Sequence, residues 1–206
     1  MTPRPPALLG IDIGSSELRA GLVTPDGHLL GLERARYEMT IDSERGFAEQ
    51  DPELWWTGLR AVTRLLLGRV EADIVGIAVD GHGPSLTPVD QLGRPTRPAI
   101  TWLDRRAAAE QAELGAATGL LGWSLGILPA ALWVERHEPE VAARTSWYLN
   151  SWEAVATRLT GVARTSLVPS QAWPVPDELG ALGLPSDRIA EPVEAGRVVG
   201  RISAES

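Results

Sequence analysis

Residues 8–24 read LLGIDIGSSELRAGLVT, from Leu8 to Thr24. An apolar run delivers one carboxylate, Asp12, into a turn of small residues, Gly14-Ser15-Ser16, and a second alternating run returns carrying one cation, Arg19. Apolar runs on either side of such a turn predict a β-hairpin. Small residues at its tip let backbone N–H groups approach phosphate oxygens, and a carboxylate at a strand end can hold a metal ion through its waters. The same residues are also compatible with an edge hairpin that carries an incidental Asp.

Working outward, strands are predicted over 7–13, 17–24 and 28–37, with Pro25-Asp26-Gly27 turning the second into the third. Residues 38–50 read as a polar loop. Asp51 caps a helix with Pro52 at its first position, and Trp55, Leu59, Val62 and Leu66 recur at helical spacing. Ile74–Val79 is a short continuous apolar run, the pattern of a strand buried on both faces. A further strand is predicted over 85–89, a turn over 90–93, and helices over 103–115, 128–138 and 151–160, the last closed by Gly161. From 161 onward the chain is rich in Pro and Gly and reads mostly as loop. Strands, helix, strand and helices in this order give an α/β class, with a mixed sheet flanked by helices. Asp12 and Asp80 each end a strand, where ligands of such sheets bind.

Composition narrows the chemistry. All nineteen basic residues among the 206 are Arg, so the Lys-containing P-loop is excluded, as is Schiff-base chemistry. Cysteine is absent, which removes disulfides, thiolate metal sites and thiol nucleophiles and fits a reducing compartment. A net charge of −8 argues against a nucleic-acid partner. Apolar runs are broken by charge or Gly, and the N-terminus lacks a signal-peptide core, so no membrane span and a cytoplasmic location are expected. With 44% hydrophobic residues the chain can bury a core, and most of its eight Trp are expected in the core or on a domain face rather than as ligand platforms, with Trp55 and Trp56 in the core.

Other candidates divide between a site role and a structural one. Gly122-Trp123-Ser124-Leu125-Gly126 fits the nucleophile-elbow pattern, but it lacks the preceding strand and the acid and His that must follow, so it reads as a helix–helix loop. His28, His82 and His137 have no metal-ligand spacing. His82, between two glycines at a strand end, is either a substrate contact or a loop His bonding backbone. Asp80 either accepts from ligand hydroxyls or caps its own loop. Asp104 and Arg106 are either site residues or a helix-start pair. Glu49-Gln50-Asp51 reads mainly as helix entry.

Five segments in order, GIDIGSSELR (10–19), GFAEQDPELWW (46–56), IVGIAVDG (74–81), GRPTRPAITWLDRR (93–106) and RLTG (158–161), resemble the N-terminal domain of the FGGY carbohydrate kinases, members of the actin-like ATPase superfamily. The resemblance implies an RNase-H-like fold and transfer of the ATP γ-phosphate to a sugar or polyol hydroxyl, with Mg2+. It places Asp12, Gly14, Ser15, Ser16 and Arg19 at the ATP phosphates, with Asp12 toward the metal. It places Asp80, Gly81, His82, Gly83, Trp102, Asp104 and Arg106, with the segment running on to Pro84 and Ser85, at the sugar. The Met-His pair of xylulose kinases falls on Gly83-Pro84, and the Arg-Glu pair of glycerol kinases is absent as well, so the sugar stays open.

Family members are longer. Their nucleotide domain and their catalytic base, an Asp in a Gly-rich segment after a G-x-V-x-G region, match nothing here. That region is Gly196–Gly200, and the resemblance puts the base beyond Ser206, so no catalytic residue is expected within the sequence. The expectation is therefore one domain over 1–206, truncated at its C-terminal end, inactive alone and prone to self-association through an open sheet edge or cleft wall. Its missing partner would be the nucleotide domain. The alternative is a non-catalytic half-domain that binds sugar or another chain.

Overall fold

The computed structural model describes residues 4–167 and 176–202. In chain order the elements are β1 (Pro6–Ile13), β2 (Glu17–Val23), β3 (Leu29–Arg36), β4 (Thr40–Asp42), β5 (Phe47–Gln50), α1 (Pro52–Arg69), β6 (Asp73–Gly81), β7 (Thr87–Val89) and β8 (Ala99–Ile100). There follow α2 (Ala108–Thr118), a 3-10 turn (Gly122–Leu125), α3 (Leu128–His137), α4 (Pro139–Arg144), β9 (Trp147–Leu149), α5 (Ser151–Thr160), β10 (Thr165–Leu167), α6 (Pro176–Ala181), a 3-10 turn (Ser186–Arg188) and β11 (Pro192–Glu194). The chain divides into two compact units, one of residues 1–39 and 51–82, the other of 40–50 and 83–206.

The first unit is one sheet and one helix. The sheet order is β3-β2-β1-β6, antiparallel through the hairpins and parallel where α1 carries the chain over to β6. Ala7, Leu9, Ile11 and Ile13 alternate inward along β1, and Leu18, Ala20 and Leu22 along β2. Helix α1 turns Trp55, Trp56, Leu59, Val62 and Leu66 inward, each contributing ~1.5–3 kcal/mol on burial. Its N-cap is Asp51, whose carboxylate accepts the Glu53 N–H at 3.0 Å. Glycine allows close approach here: a Cβ at Gly31 would stand 3.1 Å from side-chain methyls of Leu66 and Val70, which would have to shift to admit it.

Strand β6 departs from the expectation of burial on both faces. It lies at the end of its sheet, paired only with β1 among the described residues, and Val75 is 63% exposed. An apolar run reports hydrophobicity, not how many neighbours the strand acquires.

The second unit holds three small sheets: β4-β5-β8 and β7-β9, both antiparallel, and the parallel pair β10-β11. Its main core gathers Leu86, Ile100, Leu114, Leu125, Leu128, Leu132 and Tyr148. The stretch 38–50, expected as loop, contains the β4–β5 hairpin; β5 is only four residues long and half of it, Glu49 and Gln50, is polar. The region after 161 contains β10 and β11 beside its loops. The predicted helix over 103–115 starts five residues late, at Ala108, for a reason found at the candidate site.

Candidate functional site

In the first unit, β1 and β2 present the hairpin tip. Within it the Gly14 N–H donates to the Glu17 carbonyl at 3.0 Å, so this amide closes the turn. A Cβ on Gly14 would stand 2.8 Å from that same oxygen, which makes glycine obligatory. Tyr37, just after β3, braces the turn twice. Its N–H donates to the Ser16 carbonyl at 3.1 Å, and its phenol donates to the Gly14 carbonyl at 2.6 Å. Burial raises the Tyr37 phenol above its ordinary value, so it stays a donor. Nothing in the sequence near Gly14 announces this residue, which is 23 positions away.

Charge on this face is ordered around two carboxylates. Asp12 pairs with Arg19 at 3.1 Å, and Arg19 also reaches Glu17 at 2.8 Å. Arg34 and Arg36 approach Glu17 as well, each at 3.7 Å. The hydrogen bond from Arg19 lowers Glu17 below the usual carboxylate range, and Glu17 in turn raises Arg19. Asp12 and Asp80 are register partners on the parallel pair β1–β6, so their side chains share a face. The Asp80 carboxylate accepts its neighbour's N–H, that of Gly81, at 2.8 Å, the loop-capping arrangement.

His82 continues β6 by donating its N–H to the Ile13 carbonyl at 2.8 Å. Its ring meets Trp55 edge-on at 5.5 Å. Burial pushes the imidazole down to about 4, against the pull of Asp12, so at neutral pH it carries no charge.

In the second unit, Gly83 lies against Trp152: a Cβ there would come within 2.7 Å of the indole ring and 3.3 Å of the Asn150 side-chain oxygen. Trp152 is fixed by its N–H, which donates to Ser166 Oγ at 2.8 Å. Asn150 in turn accepts the Ser85 N–H at 3.4 Å. Trp152 and Asn150 thus seat the segment that begins at Gly83, and neither was singled out in the sequence.

The same unit holds the Trp102–Arg106 segment. Trp102 is 43% exposed. Asp104 and Arg106, expected at the substrate, have side chains only 1% and 2% exposed. They pair with each other at 2.8 Å, and Arg106 reaches Glu49 at 2.7 Å. Arg97 joins Glu49 and also Glu138, the latter at 2.9 Å. Burial pulls Arg106 down, but Asp104 and Glu49 outweigh it and the guanidinium ends above its ordinary value; for Arg97 burial prevails and lowers it. Glu49 therefore belongs to this ion cluster, and helix entry is left to Asp51. Because Asp104 accepts from Ala48 and Arg105 donates to Gly46, residues 102–107 are tied to β5 and α2 begins only after them.

For a magnesium ion the donor chemistry fits. Mg2+ is commonly held by one or two carboxylates with waters and phosphate oxygens. Asp12 with Asp80 beside it offers that kind of donor, and no cluster of three or more potential ligands occurs among the described residues. Ser206, beyond which the catalytic base is expected, lies outside the described residues, so the structure places neither that serine nor a base. Among the described residues, no helix is long and apolar enough to cross a membrane.

The sequence profile of the N-terminal domain of the FGGY family of carbohydrate kinases matches residues 7–168. Xylulose kinase of Bacillus subtilis (strain 168) is 32% identical over 172 residues, covering 77% of this chain and 34% of the relative. Xylulose kinase of Staphylococcus xylosus is 29% identical over 178 residues, covering 80% of this chain and 36% of the relative. The crystal structure of a xyloylose kinase from Brucella ovis superposes with a TM-score of 0.82 at 26% identity, over 97% of this chain and 46% of that one. The chain thus spans about a third of the length of these curated relatives.

Proposed function

We propose, because this chain belongs to the FGGY family of carbohydrate kinases, that it supplies the phosphate hairpin and the sugar-facing wall of an ATP-dependent kinase acting on a sugar or polyol hydroxyl. The observation that carries this reading is the braced hairpin tip, where Asp12 and Asp80 share a face and Gly14 permits a turn that no other residue allows. Ser15 and Ser16 offer hydroxyls to phosphate oxygens at that tip, and Arg19 offers a guanidinium. Mg2+, held through Asp12, supplies charge neutralisation of the phosphates. By the family resemblance Gly81 and His82 of the first unit, and Gly83 and Trp102 of the second, are each candidates for sugar contact, and the neutral His82 ring would add no charge there.

Phosphoryl transfer needs the acceptor hydroxyl and the phosphates positioned together. No residue of this chain is assigned as the base that orients the hydroxyl; that role falls to the part of the relatives beyond the matched region. The isolated chain is therefore expected to show no sugar-dependent ATP turnover. The test joins residues 1–200 to the remaining part of the Brucella ovis relative and measures D-xylulose-dependent and polyol-dependent ADP release. Turnover is expected with one of these acceptors, and Asp12→Asn should lower it by on the order of a hundredfold or more. A folded chimera without turnover on any acceptor, or an Asp12→Asn chimera of full activity, would overturn the reading.

A further inference from the structure

We propose that Asp104 and Arg106 are positioning residues that latch the Trp102 turn onto β5, and that neither of them touches the sugar. The inference deepens the kinase reading above and rests on it for the identity of the ligand.

The latch is built on one residue, Ala48. Its carbonyl accepts the Thr101 N–H and the Thr101 hydroxyl, both at 3.0 Å. Its N–H donates to Asp104 Oδ2 at 2.6 Å. Trp102 lies between these two anchors, in a turn closed by the Asp104 N–H donating to the Thr101 carbonyl at 3.0 Å. A half-exposed indole is thus carried on a backbone loop pinned on both sides of it.

Asp104 has no acceptor capacity left for a ligand. A carboxylate offers about four lone-pair sites. Oδ2 receives the Ala48 N–H and Arg106 Nη2; Oδ1 receives the Arg106 backbone N–H and Arg106 Nε, both at 2.9 Å. Arg106 is committed through Nε and Nη2. Its guanidinium forks onto Asp104, pairs with Glu49, and lies over the ring of Phe47 at 3.9 Å and that of Trp133 at 5.0 Å. A planar cation resting on both rings, with Nε and Nη2 engaged and its side chain buried, holds Asp104 in one orientation. Lys could supply the charge there but neither the fork nor the plane.

The experiment uses the whole chain labelled with 5-fluorotryptophan, the Trp102 fluorine resonance being assigned by its loss in Trp102→Phe. Asp104→Asn keeps the shape but gives up half of the acceptor sites. It is expected to shift the Trp102 resonance while leaving the other indoles in place, to speed exchange of the Ala48 amide more than tenfold, and to weaken D-xylulose binding by the same factor as Trp102→Ala. The double variant should bind no more weakly than Trp102→Ala alone. Arg106→Lys should shift the same resonance in the same direction, and it carries the test if Asp104→Asn does not fold. Weakened D-xylulose binding with the Trp102 resonance and the Ala48 exchange unmoved would make Asp104 a direct ligand and overturn the latch. So would a displaced resonance with binding unchanged. Absence of D-xylulose binding by the unsubstituted chain would argue only against D-xylulose as its acceptor, and the resonance and exchange would still decide whether the latch exists.

Discussion

At Gly14 the chain has no choice of residue: the atom a Cβ would strike is backbone, the Glu17 carbonyl oxygen at 2.8 Å, and backbone cannot rotate away. Gly14→Ala is expected to cost ~1–3 kcal/mol in urea unfolding, and an unchanged midpoint would show that the turn relaxes freely. His82 makes a pH prediction. Its folded value lies near 4 and its unfolded value near 6.5, so between those limits the unfolded chain binds the extra proton. The contribution is complete above pH ~6.5 and is lost as pH falls toward 4, to a total of ~3 kcal/mol. Urea titrations at pH 7 and pH 5 should show a larger loss for the native chain than for His82→Gln; equal losses would mean that the imidazole is not held neutral. The β1–β2 hairpin was legible in the sequence because its signal is local, a carboxylate and small residues at a turn between two apolar runs. Tyr37, Trp152 and Asn150 were not, because each acts on a segment many residues away.

Elements whose signal is periodic were read correctly, and those whose signal is tertiary were not. Helix α1 declares itself by its cap and its apolar spacing, and α5 by its pattern and by Gly161 in a left-handed conformation at its C-cap. Strand β5, four residues with half of them polar, is too short to be seen, and the start of α2 is displaced by hydrogen bonds to a hairpin remote in sequence. Helix α5 also anchors β10 through one buried side chain. Glu153 accepts the Asn150 N–H at 2.8 Å and, on its other oxygen, the Ser166 N–H at 2.7 Å and the hydroxyls of Thr165 and Ser166 at 3.0 Å each. Burial raises this carboxyl, partly offset by those donors. Glu153→Ala, which strands several buried donors, is expected to destabilise by ~2–4 kcal/mol and to expose the Ser166 amide to rapid exchange. Glu153→Gln should lose less, and equal losses from the two would show that filling the space is not what matters.

For the whole molecule, the consequential surface is the outer side of the first unit's sheet. Leu8 covers Gly76, and Leu29 and Leu32 cover Gly21, all on the side away from α1. Leu8 is 44% exposed and Leu29 60%. Beside Leu8 runs β6, nine residues long, paired on one side only among the described residues. A long apolar edge strand is a template for pairing. The isolated chain is expected to self-associate in light scattering as concentration rises, and an arginine or glutamate at Val75 should reduce the effect. A monodisperse monomer at high concentration would show that this edge is protected.

The sequence by itself determined the α/β class, the order of hairpins, crossover helix and parallel strand, the family, and the Asp12–Arg19 hairpin with its small-residue turn. It could do so because apolar period, turn chemistry and short motifs are written within a few consecutive residues. Only the tertiary structure decided that β6 pairs with β1 alone among the described residues, that Asp80 accepts the N–H of its neighbour Gly81, and that Asp104 and Arg106 are buried against β5. Those outcomes depend on which groups meet across dozens of residues. A carboxylate or a guanidinium reads the same in a sequence whether it ends facing a ligand or saturated by its own chain.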